Sequence, residues 1–211
     1  MRVTVFGATG RTGKELVSQA LARGYQVVAY VRNPQKMGLE NPQLTIVQGE
    51  LSDLETIQAA IAGSNCVLSA LGPAGDPGDE ELSDGVKNIL SAMEEAGIKR
   101  LIILSTTSAQ DPADKESLRT KMRRGMIKRG RPVSYEQIVR YSQLVRDSDL
   151  DWTLVRIASI LTNKSLSKQI SAGYLGIGTF RNILSRADLA WFMLEQAESQ
   201  EFLRKAPAVS N

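Results

Sequence analysis

A chain of 211 residues with 42% hydrophobic and 23% charged residues has the composition of one soluble globular domain and is too short for two typical enzyme domains. No apolar stretch approaches the roughly eighteen residues of a membrane span, and the N-terminal run lacks the pattern of a secretory signal, so we expect a cytoplasmic protein. The absence of histidine and the presence of one cysteine, Cys66, exclude a disulfide within the chain and argue against a transition-metal site.

Apolar runs alternate with helical patterns from the first residue onward. Runs typical of strands are predicted at residues 3–6, 26–31, 44–47, 66–71, 100–105 and 152–157. Because these runs are nearly continuously apolar and helices separate them, they predict an α/β fold with a parallel sheet covered on both faces. The tail from about residue 158 has a weaker strand pattern and one predicted helix, around 186–197.

The turn after the first strand carries three evenly spaced glycines. Gly7, Gly10 and Gly13 form the pattern Gly-x-x-Gly-x-x-Gly, with Thr9 and Thr12 between them. Glycine lets the backbone turn tightly and approach a pyrophosphate, while the N–H groups and the dipole at the helix start attract its negative charge. The pattern predicts a dinucleotide-binding turn, to which the two threonine hydroxyls add hydrogen bonds.

The end of the second strand indicates which dinucleotide binds. An Asp or Glu that accepts from the ribose 2′-hydroxyl is usual there in proteins that prefer NAD. Arg32 occupies this place, with Lys36 nearby and Arg11 inside the glycine turn. A guanidinium pairs with a 2′-phosphate, which a carboxylate would repel, so we expect NADP(H) as the cofactor. The alternative interpretation of Arg32 is a solvated surface charge.

Positive charge is concentrated in residues 115–131. This segment, KESLRTKMRRGMIKRGR, holds eight Lys or Arg and one acid, Glu116, against a net charge of +3 for the whole chain. We interpret it either as a solvated helix or lid, or as a contact for the anionic groups of a substrate. No aromatic residue interleaves with the basic ones to stack on bases, so a nucleic-acid role is not favoured.

A helix is predicted at 135–148. Ser134 as N-cap and Gln137 three residues later form a capping box, with Pro132 just before. The helix carries two tyrosines. Tyr141 lies on the same side of the helix as the apolar residues Ile138, Leu144 and Val145. We therefore assign it to the core. Tyr135 lies off that stripe and is either a site residue or a packing residue at the helix start.

Six stretches spread over nearly the whole chain match one known family in the same order. They are FGATGRTG (6–13), VRNPQK (31–36), GELSD (49–53), SALG (69–72), LSTTSA (104–109) and SDLDWTLVR (148–156). Together they resemble the atypical short-chain dehydrogenase/reductase superfamily, within it the NAD(P)H-binding group that includes flavin reductase/biliverdin-IXβ reductase and NmrA-like proteins. The resemblance implies a single-domain Rossmann-like fold over residues 1–211, with a doubly wound parallel sheet of about six to seven strands and helices on both faces. Residues from about 158 to 211 would form its substrate side.

The resemblance also implies roles for residues that follow the strands. Glu50 and Leu51 would border the adenine, and Ala70, Leu71 and Gly72 would line the cofactor.

On the substrate side, Ser108 matches the active-site serine of the family. Arg156 and residues 158–160 would lie near the nicotinamide.

One catalytic element of the superfamily is absent. Members that reduce carbonyls use Tyr-x-x-x-Lys, in which the phenol donates a proton and the lysine lowers its pKa. Tyr135 is followed four residues later by Val139, and Tyr141 by Val145. Reduction of a simple ketone gains roughly 100-fold to 10,000-fold from a positioned acid. A conjugated acceptor spreads the charge and can take its proton from solvent.

The sequence therefore predicts an NADPH-dependent oxidoreductase that passes a hydride to a planar, anionic, conjugated acceptor such as a flavin, a quinone or a tetrapyrrole, with Ser108 and Tyr135 as candidate catalytic residues. The alternative is a regulator of the NmrA-like kind, which senses NADP(H) without turnover. We expect a small-molecule partner and no membrane partner.

Overall fold

A large central sheet organises the molecule. The computed structural model describes residues 1–73, 81–115, 117–177, 180–181 and 183–211. The strands in this part of the chain are β1 (Arg2–Phe6), β2 (Gln26–Val31), β3 (Leu44–Gln48), β4 (Cys66–Ser69), β5 (Arg100–Thr106), β6 (Asp151–Ile157), β7 (Ile160–Thr162), β8 (Ser171–Gly173), β9 (Ile183–Ser185) and β10 (Ala208–Ser210). The helices are α1 (Arg11–Ala22), α2 (Leu54–Ile61), α3 (Leu82–Glu95), α4 (Leu118–Gly130), α5 (Pro132–Asp147) and α6 (Arg186–Glu198).

The order of the strands is that of a doubly wound fold. The main sheet runs β3-β2-β1-β4-β5-β6-β10-β8, and β7 pairs with β9 separately. Every pairing in the main sheet is parallel except that of β10 with β8. From the adjacent β1 and β4 the order runs outward in opposite directions, which is the switch point where ligands bind in such sheets. The predicted Rossmann-like α/β fold is confirmed.

The predicted number of strands was too low. Among the described residues the main sheet has eight strands, because the tail adds β8 and β10 to the six predicted ones. Each of these two strands has only three residues. A segment that short shows no periodicity in the sequence, and its pairing depends on the neighbouring edge of the sheet.

Two apolar layers cover the two faces of the sheet. Alternate residues of β5 point to opposite sides, so that Leu101 and Ile103 belong to one buried cluster and Ile102 and Leu104 to the other. Helices α1 and α6 pack on each other over one face, and α2, α3 and α5 cover the other. This arrangement leaves the carboxyl ends of β1 and β4 open at one edge.

Helix α5 begins earlier than predicted. It starts at Pro132, whose missing N–H group costs nothing at the first position of a helix. The predicted capping box at Ser134 is wrong, because Gln137 Oε1 instead accepts a hydrogen bond of 2.8 Å from the backbone N–H of Ser83 in α3. The Gln137 side chain therefore makes a long-range hydrogen bond to α3 instead of the local capping bond that the sequence pattern predicted.

A buried ion pair ties the tail to the middle of the chain. Arg156 in β6 is fully buried, and its guanidinium forms two bonds, of 2.6 and 2.8 Å, to the carboxylate of Asp114. Arg156 Nε also donates to the carbonyl of Ala206, and Asp114 accepts from the N–H groups of Leu175 and Asp111. The Arg156 side chain is therefore held by contacts within the protein, and its expected position near the nicotinamide stays a prediction.

No helix in the described ranges has both the length and the apolar character needed to cross a bilayer.

Candidate functional site

The glycine turn is packed so tightly that side chains would not fit. Gly7 has φ +71°, and a Cβ atom there would lie 2.9 Å from the backbone carbonyl carbon of Ala70, at the end of β4. A Cβ atom at Gly13 would lie 2.1 Å from the carbonyl oxygen of Gly7. Gly10 closes the turn by donating from its N–H to that same oxygen. The turn therefore brings the start of α1 directly beside the end of β4.

A first cleft of about 560 Å³ opens at this edge of the sheet. Nine of the residues predicted to bind the cofactor line it: Gly7, Thr9, Gly10, Arg32, Glu50, Leu51, Ala70, Leu71 and Gly72. Gly13 is buried in the first turn of α1, and Thr12 faces a second cleft. Arg11 and Lys36 are exposed and line neither cleft.

Tyr30, which the sequence analysis missed, contributes to the first cleft. Its hydroxyl donates a hydrogen bond of 2.8 Å to the carbonyl of Glu50. A Cβ atom at Gly49 would lie 2.2 Å from that hydroxyl, so a larger residue there would displace the Tyr30 side chain. Burial raises the pKa of Tyr30 to about 12, and the negative charges of Asp53 and Glu50 act in the same direction. The neutral Tyr30 side chain thus lines the cleft and positions the backbone of Glu50. In the sequence, only its place two residues before Arg32 indicates this role.

Helix α3 holds the opposite wall, which had no signal in the sequence. Asn88 Nδ2 donates a hydrogen bond of 2.8 Å to the carbonyl of Leu51. A Cβ atom at Gly85 would lie 2.7 Å from Leu51 Cβ, so this glycine lets the helix approach closely. Both contacts fix Leu51 at the cleft, and both depend on the packing of α3 against α2.

A second cleft, of about 580 Å³, adjoins the first. The two share Ala70, Leu71 and Gly72 at the end of β4. Three arginines and no acidic residue appear among the described residues that line the second cleft; the arginines are Arg123, Arg131 and Arg186. Besides Ala70, Leu71 and Pro73 near the shared wall, its apolar side chains include Leu104, Ile127, Ile138, Ile157 and Leu161. A cleft of this kind suits a ligand with an apolar body and anionic groups.

Ser108 and Tyr135, the two candidate catalytic residues, both line the second cleft. Ser108 is buried, and its N–H donates to Thr106 Oγ1. Tyr135 is half-buried, and Lys128 Nζ lies 5.8 Å from the centre of its ring. Lys128 belongs to α4 and precedes Tyr135 in the sequence. A search for Tyr-x-x-x-Lys, in which the lysine follows the tyrosine by four residues, therefore does not find it.

Tyr141 is a core residue, as predicted. It is fully buried, and its hydroxyl donates a hydrogen bond of 2.9 Å to the carbonyl of Leu104. Burial raises the pKa of Tyr141 above its ordinary value, so the phenol holds its proton firmly. Because its hydroxyl is already committed to the backbone of β5, Tyr141 is poorly suited to donate a proton to a ligand.

Arg186 is a second residue that the sequence analysis missed. It is the first residue of α6, it lines the second cleft, and its Nη1 donates to Asn163 Oδ1 at 2.7 Å. Burial lowers the pKa of Arg186, and the positive charge of Arg11 lowers it further. The two guanidinium groups repel each other, and an anion beside them would relieve this repulsion.

Several known proteins are similar to this chain in sequence. The sequence profile of the NAD(P)H-binding family matches residues 7–200. The chain is 33% identical over 112 residues to human sterol-4-alpha-carboxylate 3-dehydrogenase, decarboxylating, covering 51% of this chain and 29% of the enzyme. It is 27% identical over 161 residues to (4-alkanoyl-5-oxo-2,5-dihydrofuran-3-yl)methyl phosphate reductase of Streptomyces griseus, covering 76% of this chain and 49% of the reductase. The chain thus spans between about a third and a half of the length of these curated relatives.

Among solved structures, the fold is similar to that of a short-chain dehydrogenase/reductase from Veillonella parvula in complex with NADP. The TM-score is 0.78 at 17% identity, over 100% of this chain and 94% of the other. This structural similarity shows the fold alone. Because the sequence profile matches residues 7–200, the chain belongs to the NAD(P)H-binding family.

Proposed function

We propose that the protein is an NADPH-dependent oxidoreductase that passes a hydride to a conjugated acceptor, of which a flavin, a quinone and a tetrapyrrole are examples. The observation that carries the proposal is the joining of two clefts at Ala70, Leu71 and Gly72, one beside the glycine turn and one apolar and basic. A donor and an acceptor placed in adjoining clefts can meet at the shared wall. Relatives named as a dehydrogenase and a reductase support an enzymatic role.

In this proposal the first cleft and the glycine turn hold NADP(H). The turn and Thr9 bind the pyrophosphate, Glu50 and Leu51 border the adenine, and Arg32 pairs with the 2′-phosphate. Thr12 extends the phosphate contacts toward the second cleft. The bound nicotinamide supplies the hydride.

The second cleft is the proposed acceptor site. It is lined mainly by residues at the end of β5 and by α4 and α5, and the expected substrate-side segment 158–211 adds Ser159, Leu161 and Arg186. Its apolar walls exclude water and orient a flat ring, while Arg123 and Arg131 attract anionic groups of the acceptor. Ser108 offers a hydroxyl beside the ring. The acceptor takes the hydride from NADPH and a proton from solvent, because Tyr141 is committed to the backbone and no Tyr-x-x-x-Lys pair is present.

The proposal predicts that NADPH is oxidised when FMN or a quinone is added to the purified protein. The loss of NADPH absorbance, followed for a panel of flavins, quinones and simple carbonyls, measures this directly. We expect turnover with the conjugated acceptors and little with the carbonyls. Intact NADPH binding without turnover across the panel would contradict the enzyme proposal and favour the NADP(H)-sensing regulator.

Replacing Arg32 by Asp is expected to reduce the preference for NADPH over NADH by about 10-fold to 100-fold, the value of a charge-assisted hydrogen bond to the 2′-phosphate. Titration of both nucleotides into wild type and variant measures the preference. Lys87→Asp is the matched control, because it makes the same change of charge on an exposed residue that lines neither cleft. An unchanged preference in Arg32→Asp would show that the 2′-phosphate site is misassigned.

Replacing Tyr135 by Phe is expected to leave flavin reduction within about threefold of wild type, because solvent supplies the proton. The measured quantities are the turnover number and the NADPH affinity. Tyr174→Phe, at a half-buried tyrosine outside both clefts, is the control. A loss of roughly 100-fold or more in Tyr135→Phe, with NADPH binding intact, would instead identify Tyr135 as the acid.

A further inference from the structure

Helix α4 presents a row of apolar side chains to solvent. Leu118, Met122 and Met126 are 75%, 63% and 67% exposed, although such residues are usually buried. They are spaced four residues apart and therefore lie one above another on one side of the helix. Arg123 and Ile127, on the other side, line the second cleft. We call the exposed row, Leu118, Met122 and Met126, the α4 face.

Basic residues border the α4 face. Residues 118–130 hold six Lys or Arg and no acid, whereas the chain outside 115–131 is net negative. Lys121 and Lys128 are exposed along one flank of the row, and Arg129 is exposed at its C-terminal end. Positive charge is thus concentrated on α4, which favours its contact with a negatively charged surface.

We propose that the α4 face is a docking surface for an anionic lipid bilayer. A helix with a narrow apolar row and long basic side chains beside it lies in the plane of the headgroups, with the row inserted and the charges held at the surface. A stable protein partner usually covers about 800 Å² with matched shape. Three side chains on one convex helix offer neither, whereas a bilayer requires no complementary groove.

Two further exposed apolar residues lie near the segment that contacts α4. Arg123 Nη2 donates a hydrogen bond of 3.1 Å to the carbonyl of Ala158, which brings the chain before β7 beside the helix. Ile160 in β7 is 72% exposed and lies directly opposite Ile183 in β9, which is also exposed. Ile160 and Ile183 thus form a small exposed apolar patch on the strand pair of β7 and β9, next to the segment that contacts α4.

Docking through α4 would also bring the second cleft close to the bilayer, where apolar acceptors such as quinones concentrate. This consequence depends on the proposed function, whereas the docking itself does not. The proposal departs from the expectation of no membrane partner, because the outward orientation of Leu118, Met122 and Met126 becomes visible only in the folded protein.

Sedimentation of the full chain with lipid vesicles tests the docking. We expect binding to vesicles of phosphatidylcholine mixed with phosphatidylglycerol, little binding to phosphatidylcholine alone, and weaker binding as salt is raised. The double variant Met122→Gln/Met126→Gln should bind the anionic vesicles about tenfold more weakly, because it keeps the length and helix propensity of the side chains but removes their apolar insertion. Val139→Gln, at an exposed apolar residue of α5 outside the α4 face, is the matched control and should bind like wild type.

Either of two results would overturn the proposal. Failure of the wild-type chain to bind anionic vesicles at low salt would point to an acidic protein as the partner of α4. Full binding by the methionine variant would reduce the effect to unspecific attraction of charge. NADPH binding by every variant verifies that it is folded, and since vesicle binding is measured without turnover, the docking and the hydride transfer can fail separately.

Discussion

Replacing Asp114 by Asn is expected to lower the free energy of unfolding by about 3–5 kcal/mol, because it leaves the buried guanidinium of Arg156 without its counter-charge. The guanidinium and the carboxylate are 0% and 2% exposed, and the shorter of their two bonds is 2.6 Å. A chain of this size is typically stable by only about 5–15 kcal/mol. Denaturant unfolding at neutral pH, followed by circular dichroism, should therefore show a large shift in midpoint.

The exposed ion pair of Arg140 and Asp84 is the matched control. Its atoms are 3.0 Å apart, but its side chains are 53% and 58% exposed. Water screens such a pair, so Asp84→Asn should cost less than about 1 kcal/mol. Equal losses in Asp114→Asn and Asp84→Asn would mean that the buried pair contributes no more than a surface one.

The same ion pair makes stability depend on pH in acid. Burial alone would raise the pKa of Asp114, but the hydrogen bonds and charge of Arg156 and two backbone N–H groups outweigh it, so the pKa lies below its ordinary value. A lowered pKa stabilises the folded state above the pKa of the unfolded chain, and this stabilisation is lost as pH falls through the folded-state pKa. Asp114→Asn should therefore flatten the acid limb of the stability curve. Part of the pH dependence in acid should remain in this variant, because the pKa of Asp188 is also lowered.

Replacing Gly13 by Ala is expected to abolish NADP(H) binding at concentrations that saturate wild type and to cost about 3 kcal/mol of stability. The new Cβ atom would lie 2.1 Å from the Gly7 carbonyl oxygen and 2.8 Å from Ala8 Cα, and both are backbone atoms that cannot rotate away. The start of α1 must move, which displaces the N–H groups proposed to hold the pyrophosphate. Isothermal titration with NADPH and thermal unfolding measure the two effects.

Gly125→Ala separates this clash from the general effect of adding a methyl group. Gly125 lies inside α4, and a Cβ atom there would meet nothing within 4 Å. Alanine should stabilise the helix by about 0.5–1 kcal/mol because glycine has more conformational freedom to lose on folding. Normal nucleotide binding by Gly13→Ala would refute the role of the tight turn.

The six strands over the first 157 residues were predictable from the sequence because buried parallel strands are continuous apolar runs. The glycine turn was predictable for a similar reason, since Gly7 needs a positive φ and Gly13 a close backbone approach that few other residues allow. These are local requirements, and each leaves its mark within a few neighbouring positions. They sufficed for the fold and for the NAD(P)H-binding family.

The remaining features depend on residues that are distant in the sequence. Tyr135 meets Lys128 across the junction of two helices, Gln137 is drawn from its predicted cap to Ser83, and Asp114 pairs with a strand 42 residues away. The three-residue strands β8 and β10 take their place from the edge of the sheet rather than from a pattern of their own. The sequence by itself thus determined the Rossmann-like framework and the glycine turn. The tertiary structure alone decided the second cleft, the buried ion pair and the exposed α4 face, because contacts between distant segments leave no periodic signal along the chain.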